Sequence, residues 1–180
     1  GKISVSAGDP EDEESAASVT VYGSYGWAHA QIGHGGADSN GNLYGYYVGG
    51  SHTGDIQVTA TEYVNVWGDY WYDEWGGYAQ IGHGGAYSNW NSGFGYRELV
   101  DSELSDYRCG IYRGGSHTGN VTVSGRHGVG LSAGWANSNY AQIGHGGVEA
   151  NVNEQGFYTG GSHTGNLTVD GGDSDVVLAI

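Results

Sequence analysis

The chain of 180 residues carries 20 acidic against 5 basic side chains, and this net charge of −15 argues against nucleic-acid binding, which needs a basic face. No apolar run approaches the roughly 18 residues of a membrane helix, so we expect no membrane insertion. Glycine is abundant, at 37 residues, beside 15 Tyr, 6 Trp and a single Pro. This composition favours short strands joined by tight turns. Because the chain lacks an initiator Met, we expect a processed chain or a fragment whose export signal has been removed.

Stretches in which apolar and polar residues alternate recur along the chain and predict half-buried strands. A further strand is predicted at the tyrosine-rich stretch before each GGSHTG phrase, and a helix only at 98–107. The alternating stretches are 3–6, 19–22, 56–59, 64–67, 121–123 and 167–169, with YAQIG at 78–82 and 140–144.

Two phrases recur three times in the same order. The first reads AQIGHGG, the second reads GGSHTG, and an alternating stretch follows the second phrase each time. A repeat of this kind is one structural unit that packs against its neighbours. We therefore divide a single domain into repeats at 1–54, 55–119 and 120–165 and a partial repeat at 166–180, with a 16-residue insertion in the second repeat, within 86–113.

The repeats predict an all-β fold of about three and a half units. A count of about 14 strands, with the first and last in the same place of the repeat, favours an open β-solenoid. The alternative is a closed three-fold β-trefoil or β-prism, which would use about 12 strands. A repeat of about 47 residues is interpreted as two coils of about 23, which gives seven to eight coils and a rod roughly 35 Å long.

The phrases AQIGHGG and GGSHTG are repeated in register, and an alternating stretch such as DIQV follows each GGSHTG. They resemble the tandem units of large exported bacterial β-solenoid proteins, the filamentous-haemagglutinin-like exoproteins and autotransporter adhesins. The resemblance covers most of the chain apart from the insertion and an acidic loop at 8–18. It implies a right-handed parallel β-helix, secretion to the cell surface and a structural or adhesive role. Those proteins are very long, so a chain with three and a half units reaches length only by stacking copies.

Six of the eight histidines lie in the two phrases and predict one column for each phrase. Imidazole is a common metal ligand, which makes both columns candidate metal sites. The alternative is that each imidazole bonds a turn carbonyl. Copies placed two coils apart, about 9–10 Å, would be too distant for one ion to bridge. The columns are His34, His83 and His145, and His52, His117 and His163.

The other repeated polar residues predict corners and ladders. We expect the glutamines to form a ladder of side-chain amides and the glycines after them to form a corner. The Asp or Asn after each GGSHTG phrase should begin the next strand; two of these match a glycosylation pattern, but the Asp at the first copy favours a turn role. The sets are Gln31, Gln80 and Gln142; Gly33, Gly82 and Gly144; and Asp55, Asn120 and Asn166.

The acidic loop at 8–18 is interpreted as a solvated turn, with a Ca²⁺ site as the alternative because carboxylates are hard oxygen ligands. No other cofactor is expected. The single Cys109 excludes an internal disulfide, which leaves a buried thiol or a bond between subunits.

We expect an extracellular structural protein rather than an enzyme, because polar residues that recur in every repeat more often serve the architecture. The partner would be the chain itself, in a self-assembling surface filament with an adhesive role. The alternative is a carbohydrate-binding adhesin module whose aromatic rings stack on surface glycans. The candidate stacking residues are Tyr70, Trp71, Tyr72, Trp75 and Tyr78.

Both ends of the chain resemble strands of the repeat and carry no polar cap. Unpaired strand edges are templates for another chain, and a head-to-tail contact that does not close makes a filament. We expect strands 3–6 and 175–180 to be buried between subunits, with the half-written fourth unit completed by the start of the next copy. The candidate assembly residues are Ile3, Val5, Val176, Val177, Leu178 and Ile180.

Overall fold

The described part of the chain is all-β in the computed structural model, which describes residues 1–12, 14–23, 28–35, 47–48, 51–68, 77–85, 111–113, 115–134, 139–147, 157–159 and 162–179. These ranges contain seventeen strands and no helix, and hence no helix that could cross a bilayer. The strands are β1 (Ile3–Ala7), β2 (Val19–Tyr22), β3 (His29–Ile32), β4 (Tyr47–Val48), β5 (His52–Thr53), β6 (Ile56–Ala60), β7 (Tyr63–Trp67), β8 (Tyr78–Ile81), β9 (Ile111–Arg113), β10 (His117–Thr118), β11 (Val121–Gly125), β12 (Gly128–Ser132), β13 (Tyr140–Ile143), β14 (Phe157–Thr159), β15 (His163–Thr164), β16 (Leu167–Asp170) and β17 (Val176–Ala179).

Each complete repeat contributes one strand to each of five parallel sheets. We call the strands of one repeat a layer. Layers 1, 2 and 3 comprise β1–β5, β6–β10 and β11–β15, and layer 4 comprises β16 and β17. The first sheet is β1-β6-β11-β16, the second β2-β7-β12-β17, the third β3-β8-β13, the fourth β4-β9-β14 and the fifth β5-β10-β15. Every strand pairs with the equivalent strand of a neighbouring repeat, as Ile3 pairs with Ile56 and Val121 pairs with Leu167.

One repeat therefore makes one circuit of the stack, and the interpretation of two coils per repeat is wrong. Residues of neighbouring repeats that occupy the same place are direct neighbours across a parallel sheet, as in the pair His52 and His117. Three and a half layers at about 4.8 Å each give a stack roughly 17 Å high, half the expected length. The error also affects the histidine columns, whose members lie one layer apart and not two.

The core follows from the two-residue period of the strands. Inward positions of β6 and β7, such as Val58 and Val66, are 0% exposed, while their neighbours Gln57 and Asn65 lie on the outer face. The alternating stretches thus form strands as predicted, because apolar residues at i and i+2 share one face. The buried cluster consists of Val21, Ile56, Val58, Ala60, Val64, Val66, Ala79, Ile81, Val121, Val123 and Val129.

Burial decreases from the middle layers to the end layers. Ile56 and Val121, in layers 2 and 3, are each 1% exposed, whereas Leu167 at the same register in layer 4 is 53% exposed. Ile3, at this register in layer 1, is only partly buried. The apolar interior is therefore open at both ends of the stack.

The acidic loop at 8–18 takes the place of a short turn between the first and second sheets. In layer 2 this turn contains Thr61, which is 6% exposed and supports the loop from below. The Thr61 hydroxyl oxygen accepts the backbone N–H of Ala17 at 3.0 Å, and a Cβ at Gly8 would overlap the Thr61 side chain. The loop is thus anchored on the next layer, while its described acidic residues, Asp9, Glu11, Asp12 and Glu14, are exposed.

Several sequence predictions fall outside the described residues. They are the helix at 98–107, the insertion apart from 111–113, Cys109, the aromatic residues at 70–75 and Ile180.

We predict that Val123→Ala lowers the free energy of unfolding more than Val169→Ala. Val123 is 0% exposed in layer 3, while Val169 holds the same register in layer 4 and is only partly buried. The change at Val123 should cost about 2 kcal/mol, and the change at Val169 about half of that or less. Urea titration of both variants measures the difference, and equal costs would contradict the open-ended core.

Candidate functional site

The histidines of the AQIGHGG phrase form a stacked column, which we call the first column. The ring centroids of His34 and His83 lie 5.0 Å apart with planes 8° from parallel, and those of His83 and His145 lie 5.1 Å apart at 3°. His83, in the middle, is 0% exposed. The spacing is that of adjacent strands, which follows from one repeat per layer.

Both ring nitrogens of His83 and of His145 form hydrogen bonds with backbone groups. The His34 N–H donates to Nδ1 of His83 at 2.9 Å, and Nε2 of His83 lies 2.8 Å from the carbonyl oxygen of Gly54. His145 repeats the pattern, at 3.1 Å from the His83 N–H and 2.8 Å from the Gly119 oxygen. Since Nδ1 accepts, Nε2 carries the proton and donates, which assigns a neutral tautomer to each ring.

The histidines of the GGSHTG phrase form the second column. His52 and His117 stack with centroids 5.0 Å apart, and His117 and His163 lie 4.8 Å apart with planes tilted by 30°. Nδ1 of His117 lies 3.0 Å from Nδ1 of His163. A hydrogen bond between these atoms requires one of them to hold a proton and the other to be bare, so both cannot be protonated.

Glycines of the first phrase form the surface on which the second column rests. A Cβ at Gly84 would lie 2.6 Å from Cε1 of the His117 ring, and one at Gly35 would lie 2.6 Å from the His52 ring. Gly84 also has φ of +73°, a conformation that disfavours side chains. The GHGG motif therefore supplies a flat backbone surface for the imidazole of the same repeat. Gly146 and His163 repeat this contact in layer 3.

Two further glycine positions are stacked so closely that no side chain fits between layers. A Cβ at Gly82 would overlap the carbonyl oxygen of Gly144, and one at Gly119 would overlap that of Gly54. The two corners are fixed by the absence of Cβ as much as by turn conformation.

The predicted ladder of glutamine amides is wrong in its bonding partners. Nε2 of Gln80 donates to the carbonyl oxygens of Gly84 and Gly144, each at 3.0 Å, and Nε2 of Gln31 donates to that of Gly82 at 2.7 Å. Gln80 is 0% exposed. Gln80 thus joins the corner of its own layer to that of the next layer, and its amide satisfies glycine carbonyls that are stacked in the interior.

The residues after each GGSHTG phrase lie directly before the first residues of β6, β11 and β16, as predicted, and they also form a ladder, which was not predicted. Oδ1 of Asp55 accepts the backbone N–H of Asn120 at 2.9 Å, and Oδ1 of Asn120 accepts that of Asn166 at 3.0 Å. Either Asp or Asn supplies the oxygen that this bond needs, which explains why both occur.

These hydrogen bonds favour the structural interpretation of the histidines over a metal site. The nitrogens of His83 and His145 point to backbone partners, so an ion would have to displace those bonds. In the described ranges no group of three or more His, Cys, Asp or Glu side chains converges in a way that would hold an ion. The acidic loop uses its oxygens locally, since Oδ1 of Asp9 accepts the N–H of Glu11 and Oδ1 of Asp12 that of Glu14, each at 3.0 Å.

Of the candidate glycan-stacking residues, only Tyr78 lies in the described ranges. Its ring stacks on Tyr140 at 4.7 Å and on His29 at 5.3 Å, and its exposure is 7%. Both faces of the ring are covered by neighbouring layers, which leaves neither face for a sugar.

The candidate assembly residues other than Ile180, which is outside the described residues, lie at the open ends of the first two sheets. Ile3 and Val5 are partly buried on the inner face of β1. Val176 pairs with the inward Val129 and is 48% exposed, whereas Val177 pairs with Gly130 on the outer face and is 58% exposed. Val176 therefore continues the core and Val177 does not. Leu178 pairs with Leu131.

Burial opposes protonation of the second column. Desolvation, followed by the charges that His163 and His52 would carry, lowers the pKa of His117 to about 3. Burial also lowers the pKa values of His52 and His163 from 6.5, and it lowers that of His83 against the opposing effect of the bond to the Gly54 carbonyl. A protonated column would combine desolvated like charges at stacking distance.

No family model matches this chain, and no curated protein and no solved structure shows significant similarity to it.

Sequence reasoning found the histidines, the glycines and the Asp/Asn positions but missed how the two phrases touch. The signal was available in the order of the phrases, because two motifs that always occur together in one repeat are expected to be in contact. It also did not predict the strand β12 (Gly128–Ser132).

We predict that Gly84→Ala destabilises the fold by at least about 2 kcal/mol, because Ala is strained at φ of +73° and its Cβ would press on the His117 ring. The control is Gly130→Ala, where φ is ordinary and the Cβ approaches only the Asn65 side chain, at 3.2 Å. Thermal or urea unfolding compares the two, and a tolerated Gly84→Ala would contradict the contact between the phrases.

We predict that stability decreases as the pH falls below about 6.5. An unfolded histidine takes a proton there, whereas folded His117, with a pKa of about 3, does not. The stability is fully present above the unfolded pKa and is lost by about 1.4 kcal/mol per pH unit for His117 alone, down to its folded pKa. Urea unfolding between about pH 7 and about pH 5, above the carboxylate range, measures this slope.

The control pair for this pH dependence is His117→Gln and His127→Gln. His127 lies on the surface with a 45% exposed side chain, so its replacement removes an imidazole without disturbing the buried column. His117→Gln should lower both the stability at neutral pH and the slope. Equal slopes in the two variants would show that the buried column does not cause the acid sensitivity.

Proposed function

We propose that the chain is a right-handed parallel β-helix that serves as an extracellular structural subunit and polymerises head to tail. Parallel pairing between successive repeats is the pattern of a solenoid. In a closed three-fold fold the third repeat would return to the first, but in the described ranges the strands of layer 3 pair only with layers 2 and 4. The right hand is the one that parallel connections adopt almost always.

The observation that carries the proposal is the open apolar interior at the C-terminal end. Leu167 is 53% exposed and Val176 is 48% exposed, at registers where Ile56 and Val64 are 1% or less. Each additional layer buries such residues, so another layer is the occupant whose shape and hydrogen-bond pattern fit. A second copy supplies one with β1 and β2.

Head-to-tail stacking is most direct at the first two sheets. If β1 of the next copy pairs with β16 and its β2 pairs with β17, both sheets continue in register. The next copy then repeats the places of β16 and β17 and does not supply the missing strands of layer 4. This argues against completion of the half-written unit by the next copy, and it concentrates the contact on the apolar first and second sheets.

In this proposal the residues that recur in every repeat have a structural role and not a catalytic one. Ser51 and His52 are adjacent and could be taken for a nucleophile and its base. His52 belongs to the second column, however, where it stacks on His117 and rests on Gly35. Secretion to a bacterial surface and an adhesive role rest on the resemblance to exported solenoid proteins. The net charge of −15 opposes association, so divalent cations such as Ca²⁺ should promote it by neutralising the surface.

The test is filament formation by the purified 180-residue chain, followed by sedimentation and negative-stain electron microscopy with and without calcium. Filaments are expected, and Leu167→Lys or Val176→Lys should leave short soluble species because each puts a charge into the open interior.

The matched control is Val177→Lys, which changes an equally exposed neighbour on the outer face and should still polymerise. A chain that stays monomeric at high concentration with calcium present would overturn the proposal. So would loss of filaments in Val177→Lys but not in Val176→Lys.

A further inference from the structure

The outer face of the second sheet contains a groove that no other layer repeats. The outward residues of β12 are Gly128, Gly130 and Ser132, whereas those of β7 beneath it are Tyr63, Asn65 and Trp67. Small side chains on one strand between larger ones on both neighbours leave a channel along the strand. Repeated residues serve the architecture, so an unrepeated feature of this kind is where a specific function is expected.

The groove has an aromatic and amide wall on one side and an aliphatic wall on the other. Its volume is about 560 Å³. A Cβ at Gly128 would lie 3.5 Å from the Tyr63 ring, and one at Gly130 would lie 3.2 Å from Oδ1 of Asn65, so both side chains lean over the glycine floor. Val177, 58% exposed, borders the groove from β17.

The polar groups of the groove are carboxylates and an amide. Asp173 and Asp175 line it in the turn before β17, and Nδ1 of His127 lies 3.7 Å from the Asp173 carboxylate. The Tyr63 ring is 45% exposed and contacts His127 in a tilted arrangement at 6.1 Å. At the far end of the same face of β7, Trp67 is 43% exposed. An exposed aromatic ring beside strong hydrogen-bond acceptors is a surface for a molecule that is flat and apolar on one face and rich in hydroxyl groups at its edge.

We propose that this groove binds an uncharged oligosaccharide. A sugar ring fits the combination, with its C–H face against Tyr63 and its hydroxyls donating to Asp173, Asp175 and Oδ1 of Asn65. Two carboxylates and a net charge of −15 disfavour acidic sugars and phosphate-bearing ligands. A peptide strand finds no partner here, because β12 already pairs with β7 and β17 on its two sides.

This proposal does not rest on polymerisation, because the groove lies within one chain. If the subunits do stack, the outer face of the second sheet remains accessible and each subunit presents one groove. Multiple grooves along one filament would raise the avidity for a polysaccharide without any new contact.

The experiment is affinity electrophoresis of the chain in native gels that contain dextran, galactomannan or mixed-linkage β-glucan, all uncharged. Gels with polygalacturonate and with chitosan give the anionic and cationic comparisons. Retardation by at least one uncharged polysaccharide is expected. If none retards the chain, or if only chitosan does, the proposal is overturned, and in the latter case the carboxylates bind cations instead.

Two groove variants and two controls locate the site. Tyr63→Ala removes the stacking ring and Gly130→Val fills the floor, and each should weaken the retardation by roughly tenfold in apparent affinity. Tyr22→Ala removes an aromatic of similar exposure, 44%, on the same sheet outside the groove, and Thr122→Val alters the outer face of the first sheet. Circular dichroism checks that all four variants fold. If retardation persists in both groove variants, or if both control variants lose it as completely as the groove variants do, the sugar binds elsewhere.

Discussion

The contact between the two phrases of one repeat is the constraint on which the rest of the stack depends. The glycine that follows the histidine of the AQIGHGG phrase carries no Cβ. The imidazole of the GGSHTG phrase therefore lies flat against it, as His117 does on Gly84. The imidazole of the first phrase in turn bonds the carbonyl of the GGSHTG glycine one layer below, as His83 does with Gly54. One contact closes the circuit within a layer and the other sets the height of the next layer. Together they fix the register of every sheet.

This interlock places a polar core beside an apolar one. Val58 and Ile81 pack in the interior, while Gln80 and His83 are just as inaccessible on the polar side. Buried polar groups are tolerated only when they find partners, and here the partners are the backbone groups of stacked corners. The polar core thus specifies layer-by-layer alignment, which an interior of interchangeable valines would not do. Its cost is sensitivity to acid, since a neutral imidazole is part of each bond.

Local pattern was sufficient for the alternating strands, but not for β12, for the two-residue strands β5, β10 and β15, or for which strands pair. Alternation placed β1, β2 and β6 within a residue of their observed bounds, because the inward face must be apolar. The circuit length was misjudged because it depends on how many sheets surround the core, and five short strands per layer cannot be inferred from alternation alone. Once the strand partners are known, the spacing of the histidine columns follows from the distance between paired strands. The groove escaped sequence reasoning because it arises from what β12 lacks, and only the register with Tyr63 and Asn65 turns two glycines into a floor.

Repetition and its interruption divide the molecule between architecture and recognition. A residue that is repeated in every layer contacts its own copies above and below. Its hydrogen bonds are therefore made with equivalent residues, as at Asp55, Asn120 and Asn166. A residue that occurs once meets unlike neighbours and keeps hydrogen-bonding capacity for something else. Gly130 interrupts an otherwise regular outer face without altering Val129 or Leu131, which continue the inward pattern. A stacked fold can therefore vary its outer surface one layer at a time while its inner and corner positions hold the stack in register.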